Sequence, residues 1–543
     1  LVADHSRISV SDFQTYKHKL MKRIVPSSAS IPERMEKHQK RNRVNIGFNH
    51  KTTTTMGLLT PLGCKEVYPG EPVSLYSEIK MRFAALYLPI MHQCFFTLDW
   101  FYIQMRSLWE DPQVWEQFII QDPVSGMTTW AYMDYDRADA VFTDGIINYM
   151  GFNAPPGAGT LIATTEIGAA PALAYYEIWR NYYRNAQVQA NTIVKLVNGD
   201  NTTGIQSVLP DLRALRRNWP RDYYTSATPT PQQGDGVLIP SFEMDPETGN
   251  YLPQRLFQLD GTDPVAGDPL GVGANFMLDS LPNSNVVLQL SSTIKDFRYA
   301  AQFQEWLERS QRAGGDNANY NDYVLRETGY NPNPLFINRP VWLGGSTGDV
   351  IIQEVLATAE AGQYTVGEYT GQALARESTP RFNYTCPDYG FIIPILTVYP
   401  KASYYSGMER MWRRVTKLDY MWEQFALIGD QPIKNKEVWF SWYDADIAWN
   451  DEIFGYVPQY AWERYSNDIV SGQMRTLWES FHLGRKFIAA SDVTLNSDFV
   501  TCTPDIGRVF IVDAEAGEHE VFVHAFLGVE VDRRIPLNAI PAL

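Results

Sequence analysis

Cysteine is scarce and scattered: Cys64, Cys94, Cys386 and Cys502 stand far apart, with no Cys-x-x-Cys pair. That excludes a cysteine zinc site and a dense disulfide frame, and it fits reduced thiols in a protein assembled in a cytoplasm. Histidine is almost as sparse, eight in 543 residues, and none falls in His-Glu-x-x-His, His-x-x-x-His or another close ligand spacing. Hydrophobic runs are short. None approaches the roughly 18 residues of a membrane-spanning helix, so no membrane is expected among the partners. The opening LVADHSRISVSDFQ lacks the apolar core of a secretory signal. Gly344-Gly345-Ser346-Thr347 has no lysine and cannot serve as a phosphate loop. The acidic cluster Asp134, Asp136, Asp139 and Asp144 lacks the central glycine and terminal glutamate of an EF-hand, and reads as a solvated loop. No cofactor, metal ligand set or catalytic residue is expected.

What the chain does have is aromatic surface and unevenly placed charge. Aromatic residues make up 13%, with 15 Trp and 31 Tyr. Such side chains give broad, rigid, amphipathic contact area, which suits a subunit with extensive contacts or a protein that handles glycans. The apolar and charged fractions, 45% and 20%, are those of a globular protein. The length allows two to four domains or one elaborated β-domain. Residues 1–51 hold eleven Lys/Arg against four Asp/Glu, a surplus of +7, so the rest of the chain carries −23 of the total −16. A basic arm on an acidic body is expected where one end meets a polyanion. Residues 1–46 show little periodicity, and Pro26, Pro32 and Ser27-Ser28-Ala29-Ser30 break any helix. They read as an extended arm, with Arg34, Lys37, Lys40, Arg41 and Arg43 best placed to touch phosphate.

Periodicity assigns several elements. Val73 to Phe83 alternates as a strand. So does Glu520 to Pro536, with Val521, Val523, Ala525, Leu527, Val529 and Val531 on one side and Phe522, His524, Phe526, Glu530 and Asp532 on the other. Pro171 to Ala190 has the pattern of an amphipathic helix, with Leu173, Tyr176, Trp179 and Tyr183 recurring. From Lys295 a helix places Tyr299, Phe303 and Trp306 on one face and ends at Gly314-Gly315; a second begins near Tyr320 and stops near Gly329. Leu209 to Gly234 combines Arg213, Arg216, Arg217 and Arg221 with Trp219-Pro220 and Tyr223-Tyr224. Its prolines predict a short helical turn ending near Asn218 and an extended passage beyond, a basic loop with aromatic anchors. Residues 234–292 are dense in Gly, Pro, Asp and Asn, and read as an exposed recognition loop, with a β-rich subdomain as the alternative.

The order of several blocks resembles the major capsid proteins of the Microviridae, and of their gokushovirus-like members in particular. The blocks are Asp222-Tyr223-Tyr224-Thr225-Ser226-Ala227, His50-Lys51-Thr52-Thr53 with Val67-Tyr68-Pro69-Gly70, and the Phe95, Phe96, Arg106, Leu108, Trp109, Trp115 segment. To these are added Leu307-Glu308-Arg309 with Arg312, Gly314-Gly315, Arg339-Pro340 and Leu343-Gly344-Gly345, and then Gly407, Arg413, Asp419, Trp422, Gly429, Gln431 and Glu437. Gln104-Met105 depart from the family pattern where a proline is usual.

The resemblance implies an all-β core: a single eight-stranded antiparallel jelly-roll barrel with long loop and helix-containing insertions. The arm would be residues 1–46, the capsid domain 47–543, and the variable surface insertion 234–292 within it, building a protrusion at the three-fold axes. It implies a homo-oligomer of sixty copies in a T=1 icosahedral shell around circular single-stranded DNA, assembled in a bacterial cytoplasm and meeting a host surface receptor. Sixty arms would bring about 420 positive charges to at least ~1,600 phosphates, a quarter at most, so cations or a small basic DNA-packaging protein must supply the remainder. The competing reading is a secreted glycan-binding protein or glycoside hydrolase, whose carboxylates would come from Glu110, Glu116 or Asp446; no spacing singles out a pair.

Overall fold

A computed structural model describes residues 41–120, 130–136, 144–152, 164–237, 257–258, 276–277, 294–315, 318–333, 338–356, 369–443, 447–513 and 517–535. The chain is mostly β, built from several antiparallel sheets with few helices.

Twelve strands form the two main sheets: β1 (Asn42–Asn45), β2 (Phe48–Thr54), β3 (Thr60–Pro61), β4 (Lys65–Val67), β5 (Glu71–Phe83), β6 (Cys94–Gln104), β7 (Val341–Asp349), β8 (Ile351–Leu356), β9 (Tyr369–Ser378), β10 (Phe382–Cys386), β11 (Gly390–Pro400) and β12 (Val521–Arg533). The larger sheet runs β1-β12-β5-β9-β8. β2 continues along β12 beyond β1, and β10 shares the β9 side of β5. The smaller runs β7-β6-β11-β3, with β4 also on β11.

The alternating sequences explain how the sheets face each other. The six odd-numbered apolar residues of β12, Val521 to Val531, are all buried, as are Val73, Leu75, Ile79, Met81 and Phe83 of β5. They meet Phe96, Leu98, Trp100 and Tyr102 of β6 and Ile392, Leu396 and Val398 of β11 in one core. The odd-numbered residues of the smaller sheet, Phe101, Ile103, Phe391, Ile393 and Ile395, enter a second core on its other side. A strand buried on both faces needs a continuous apolar run, and Gly390–Pro400, GFIIPILTVYP, supplies one. Near its start β7 bulges between Trp342 and Gly344, where φ is +140° and a Cβ would run into the Phe382 ring; glycine is required there.

Helices cover the second core. α1 (Pro112–Ile120) stacks Trp115 on Phe118, and α2 (Ala170–Ile178) is buried nearly all round. The predicted amphipathic helix to Ala190 is thus shorter and more enclosed than its pattern. After Ile178 the chain makes a π turn over Trp179–Tyr183 and leaves helical geometry at Arg184. The Asn181 amide donates to the Glu177 carbonyl at 2.7 Å, competing for the acceptor that would continue the α ladder. α3 (Thr202–Val208) leads into the Leu209 stretch, where a second expectation fails. The helical turn is Pro210–Leu212, and Arg213 to Asn218 is extended. Long-range partners claim its backbone: Leu59 N–H donates to Leu215 O, Arg217 N–H to Gly57 O, and Cys502 N–H to Arg217 O, at 2.8–2.9 Å. Trp219, Tyr223 and Tyr224 are then buried in a third core, so the stretch is a structural strap and not a basic surface loop.

α4 (Ile294–Arg312) and α5 (Tyr320–Thr328) match the predicted pair, α5 closing on Gly329 at φ +68°. All four cysteines are free, and burial pushes the Cys94, Cys386 and Cys502 thiols up to about 12. No helix among the described residues is long and apolar enough to cross a membrane.

Candidate assembly interface

Among the described residues, 407–443 hold the largest concentration of exposed apolar side chains. Met411, Trp412, Leu418, Tyr420, Met421 and Ile428 are exposed, and Val415, Leu427 and Trp442 are 88%, 99% and 86% accessible. Large apolar side chains left exposed together in one stretch of chain point to a contact face.

Its first half makes three 3-10 turns, Arg410–Arg413, Lys417–Asp419 and Glu423–Phe425, held by polar anchors, while Ile433 and Val438 in its second half are buried in the third core. Asp419 Oδ2 accepts from the Val415 and Thr416 amides at 3.0 and 2.7 Å and from the Thr416 hydroxyl at 2.9 Å; these bonds, the Thr416 amide first, keep its carboxyl below the ordinary range. Arg410 lies 3.9 Å over the Trp462 ring and Lys417 5.0 Å over Trp422, whose indole N–H donates to Lys417 O at 2.9 Å.

The deepest anchor is Glu437, whose side chain is 1% exposed. It pairs with Arg413 and accepts from the Tyr223 hydroxyl and the Lys434 amide, both at 3.2 Å, while its backbone carbonyl accepts from Tyr224 at 2.7 Å. The strap and the exposed segment are therefore tied through one carboxylate. Gly407 is required at the same place, because a Cβ would strike the Glu437 carbonyl. Four of the block residues named from sequence, Gly407, Arg413, Asp419 and Glu437, are the ones that hold this platform.

α4 adds a second exposed face. Leu307, Ser310 and Gln311 seat it, and Arg312 pairs with Asp430 beside the platform. Tyr299, Phe303 and Trp306 stack along its outer side at 6.0 Å intervals, 69%, 40% and 40% accessible.

Of the expected phosphate contacts, Arg34, Lys37 and Lys40 lie outside the described residues. β1, at the end of the arm, pairs with β12, and Arg43 forms an ion pair with Glu530, which Arg381 also binds at 2.9 and 3.1 Å. Arg41 lines an open cleft of about 400 Å³ with Tyr68 and Arg533. The insertion 234–292 is described only at its first residues and at Phe257–Gln258 paired with Phe276–Met277.

The carboxylates of the competing reading are placed only in part. Glu116 is bridged by Arg106 at 3.4 Å, Glu110 precedes the same helix, and Asp446 lies outside the described residues. Gly344-Gly345-Ser346-Thr347-Gly348 has the letters Gly-x-Ser-x-Gly of a nucleophile elbow. Here it is mid-strand, with Ser346 opposite Leu98 and no strand-to-helix turn to present it. Asp134 and Asp144 join no cluster able to hold a metal among the described residues; Asp139 lies outside them.

A two-sheet body that displays exposed aromatic platforms on polar struts has the make-up of a structural subunit. The chain belongs to the phage family described as "Capsid protein (F protein)", whose sequence model matches residues 34–543. It is 27% identical to capsid protein VP1 of Chlamydia phage 1, over 93% of this chain and 96% of that protein. Identity to capsid protein VP1 of Bdellovibrio phage phiMH2K is 25%, over 89% and 90%; to that of Spiroplasma virus 4 it is 24%, over 93% and 96%. The chain is the major capsid protein of a small phage, and it assembles with other subunits into the capsid of the virion.

Proposed function

We propose that sixty copies of the chain close a T=1 icosahedral shell around circular single-stranded DNA, each copy built on one eight-stranded jelly roll. The platform at residues 407–443 carries the reading, because an exposed aromatic face on every copy is what a closed lattice buries. The strand order supports the jelly roll. With β1/β2, β3/β4 and β9/β10 each counted as one interrupted strand and β8 as an added edge, the sheets reduce to two sets of four, and chain neighbours alternate between the sheets except β6 and β7, which pair in the smaller one. Shells of uniform diameter under the electron microscope are the expected result for purified chain; a monomer at all concentrations would overturn it.

The arm, residues 1–46, faces the genome in this reading, with Arg34, Lys37, Lys40 and Arg41 meeting phosphate and Arg43 shared with Glu530. Deleting residues 1–40, which stops short of β1, is expected to raise the ratio of empty to full particles several-fold while shells still form. An unchanged ratio would count against it. Assembly takes place in the bacterial cytoplasm, with cations or a small basic packaging protein neutralising the remaining phosphates. Residues 234–292 form the three-fold protrusion that meets a host surface receptor. Replacing them with a short Gly/Ser linker should leave particles intact and lower adsorption at least tenfold; parental adsorption would refute that role.

A further inference from the structure

The outer face of the larger sheet carries a row of cations that the fold does not need. Lys51 on β2 stands directly opposite His524 on β12, His524 opposite Lys80 on β5, and Lys80 opposite Arg376 on β9. In the next row Thr53, Phe522, Arg82 and Leu374 face one another across the same four strands. Lys51, Lys80, Arg82, Arg376 and His524 are all exposed, and none has an ion-pair or hydrogen-bond partner among the described residues. The row on the other side is Asn49, Phe526, Glu78 and Ser378, so the three rows hold four permanent cations against one acid. Beyond residue 51 the chain is strongly acidic, which makes this concentration of positive charge a local exception.

Like charges directly opposite each other in an antiparallel pair are destabilising. Lys80 and Arg376 are such a pair. An anion laid across the strands removes that cost. With strands about 4.8 Å apart, the four-residue row runs about 14 Å, longer than a single phosphate requires. The surface also offers a base platform: Phe522 is 47% exposed beside Arg82, at the wall of an open cleft of about 780 Å³ that Lys51, Lys80 and His524 share. Cations interleaved with an exposed ring are the elements that hold single strands without reading their sequence.

We propose that this row is a track for single-stranded nucleic acid, with phosphates on Lys51, Lys80, Arg82 and Arg376 and a base stacked on Phe522. The inference rests on the reading of the chain as a shell around single-stranded DNA. It adds a contact surface on the folded body, separate from the arm, and turns this face of the sheet toward the genome.

The test is binding of a 20-nucleotide dT oligomer to the full chain across a salt series. Each phosphate contact on a single strand contributes about 0.7 to the slope of log K against log salt. K51Q/K80Q/R376Q is expected to lower the slope by about 2, whereas the charge-preserving K51R/K80R/R376K keeps it. F522A should weaken binding about tenfold at unchanged slope. With its repulsion removed, DNA-free K51Q/K80Q/R376Q should melt no lower than the parent. A slope unchanged in this variant overturns the proposal, as does a folded variant that binds dT like the parent but no longer forms particles; the face would then be a contact between copies. Should the triple variant fold poorly, F522A decides, and parental affinity in it overturns the proposal. If the wild-type chain forms no shells but the slope still falls, the shell reading fails and the binding track stands.

Discussion

Arg413→Ala is expected to lower the unfolding free energy of the chain by about 3–5 kcal/mol, the usual cost of leaving one member of a buried ion pair alone. Glu437 is almost wholly removed from water, and Arg413 is its one cationic partner among the described residues; the Tyr223 hydroxyl and Lys434 amide remain but bring no charge. Arg413→Lys is expected to recover only part of the loss, because a point charge cannot reproduce the planar fork of a guanidinium. In R413A/E437Q the buried charge is gone on both sides, so this double variant should be more stable than R413A alone. Urea unfolding of the purified chain measures all three. A loss below about 1 kcal/mol in R413A would mean that water reaches the carboxylate and that the strap and platform are not joined there.

How far the sequence reveals this arrangement depends on the range of the forces involved. Strand alternation is a local property, so β5 and β12 are legible residue by residue, whereas Gly390–Pro400, covered on both sides, has no alternation to show. The ends of helices depend on competing acceptors. Pro171 to Ala190 keeps its apolar period past the point where Asn181 takes the Glu177 carbonyl, and the pattern carries no sign of that bond. Arg213 to Asn218 shows the same limit, since its extended form is imposed by Gly57, Leu59 and Cys502, all distant in the chain.

The functional surfaces are harder still to read. An apolar residue in a sequence looks the same whether it enters a core or faces a neighbour, and nothing local to Val415 or Leu427 tells which of the two they do. Gly407, Arg413, Asp419 and Glu437 stood out only through the ordered resemblance, and the structure supplies their reason. The cationic row could not be seen at all: Lys51, Lys80, Arg376 and His524 come from four separate segments, and only strand register makes them neighbours.

The platform gives the second large expected effect. Val415→Glu combined with Leu427→Glu should abolish particle formation while leaving the subunit folded. Both side chains are almost fully exposed, so their loss removes nearly no packing from the fold, and surface changes of that kind alter stability by about 0.5 kcal/mol or less. In a contact between copies the same two positions would place unpaired carboxylates in an apolar interface, where disrupting a central residue costs about 2 kcal/mol or more. Symmetry multiplies the effect, because every copy carries the change into every equivalent contact and closure requires all of them together. Unfolding curves matching the parent, with sedimentation at the monomer or a small oligomer and no shells under the microscope, is the expected result. Shells at parental yield would mean that these residues face solvent in the particle, and the contacts between copies would then have to lie on other exposed faces, the Tyr299–Phe303–Trp306 ladder of α4 first among them.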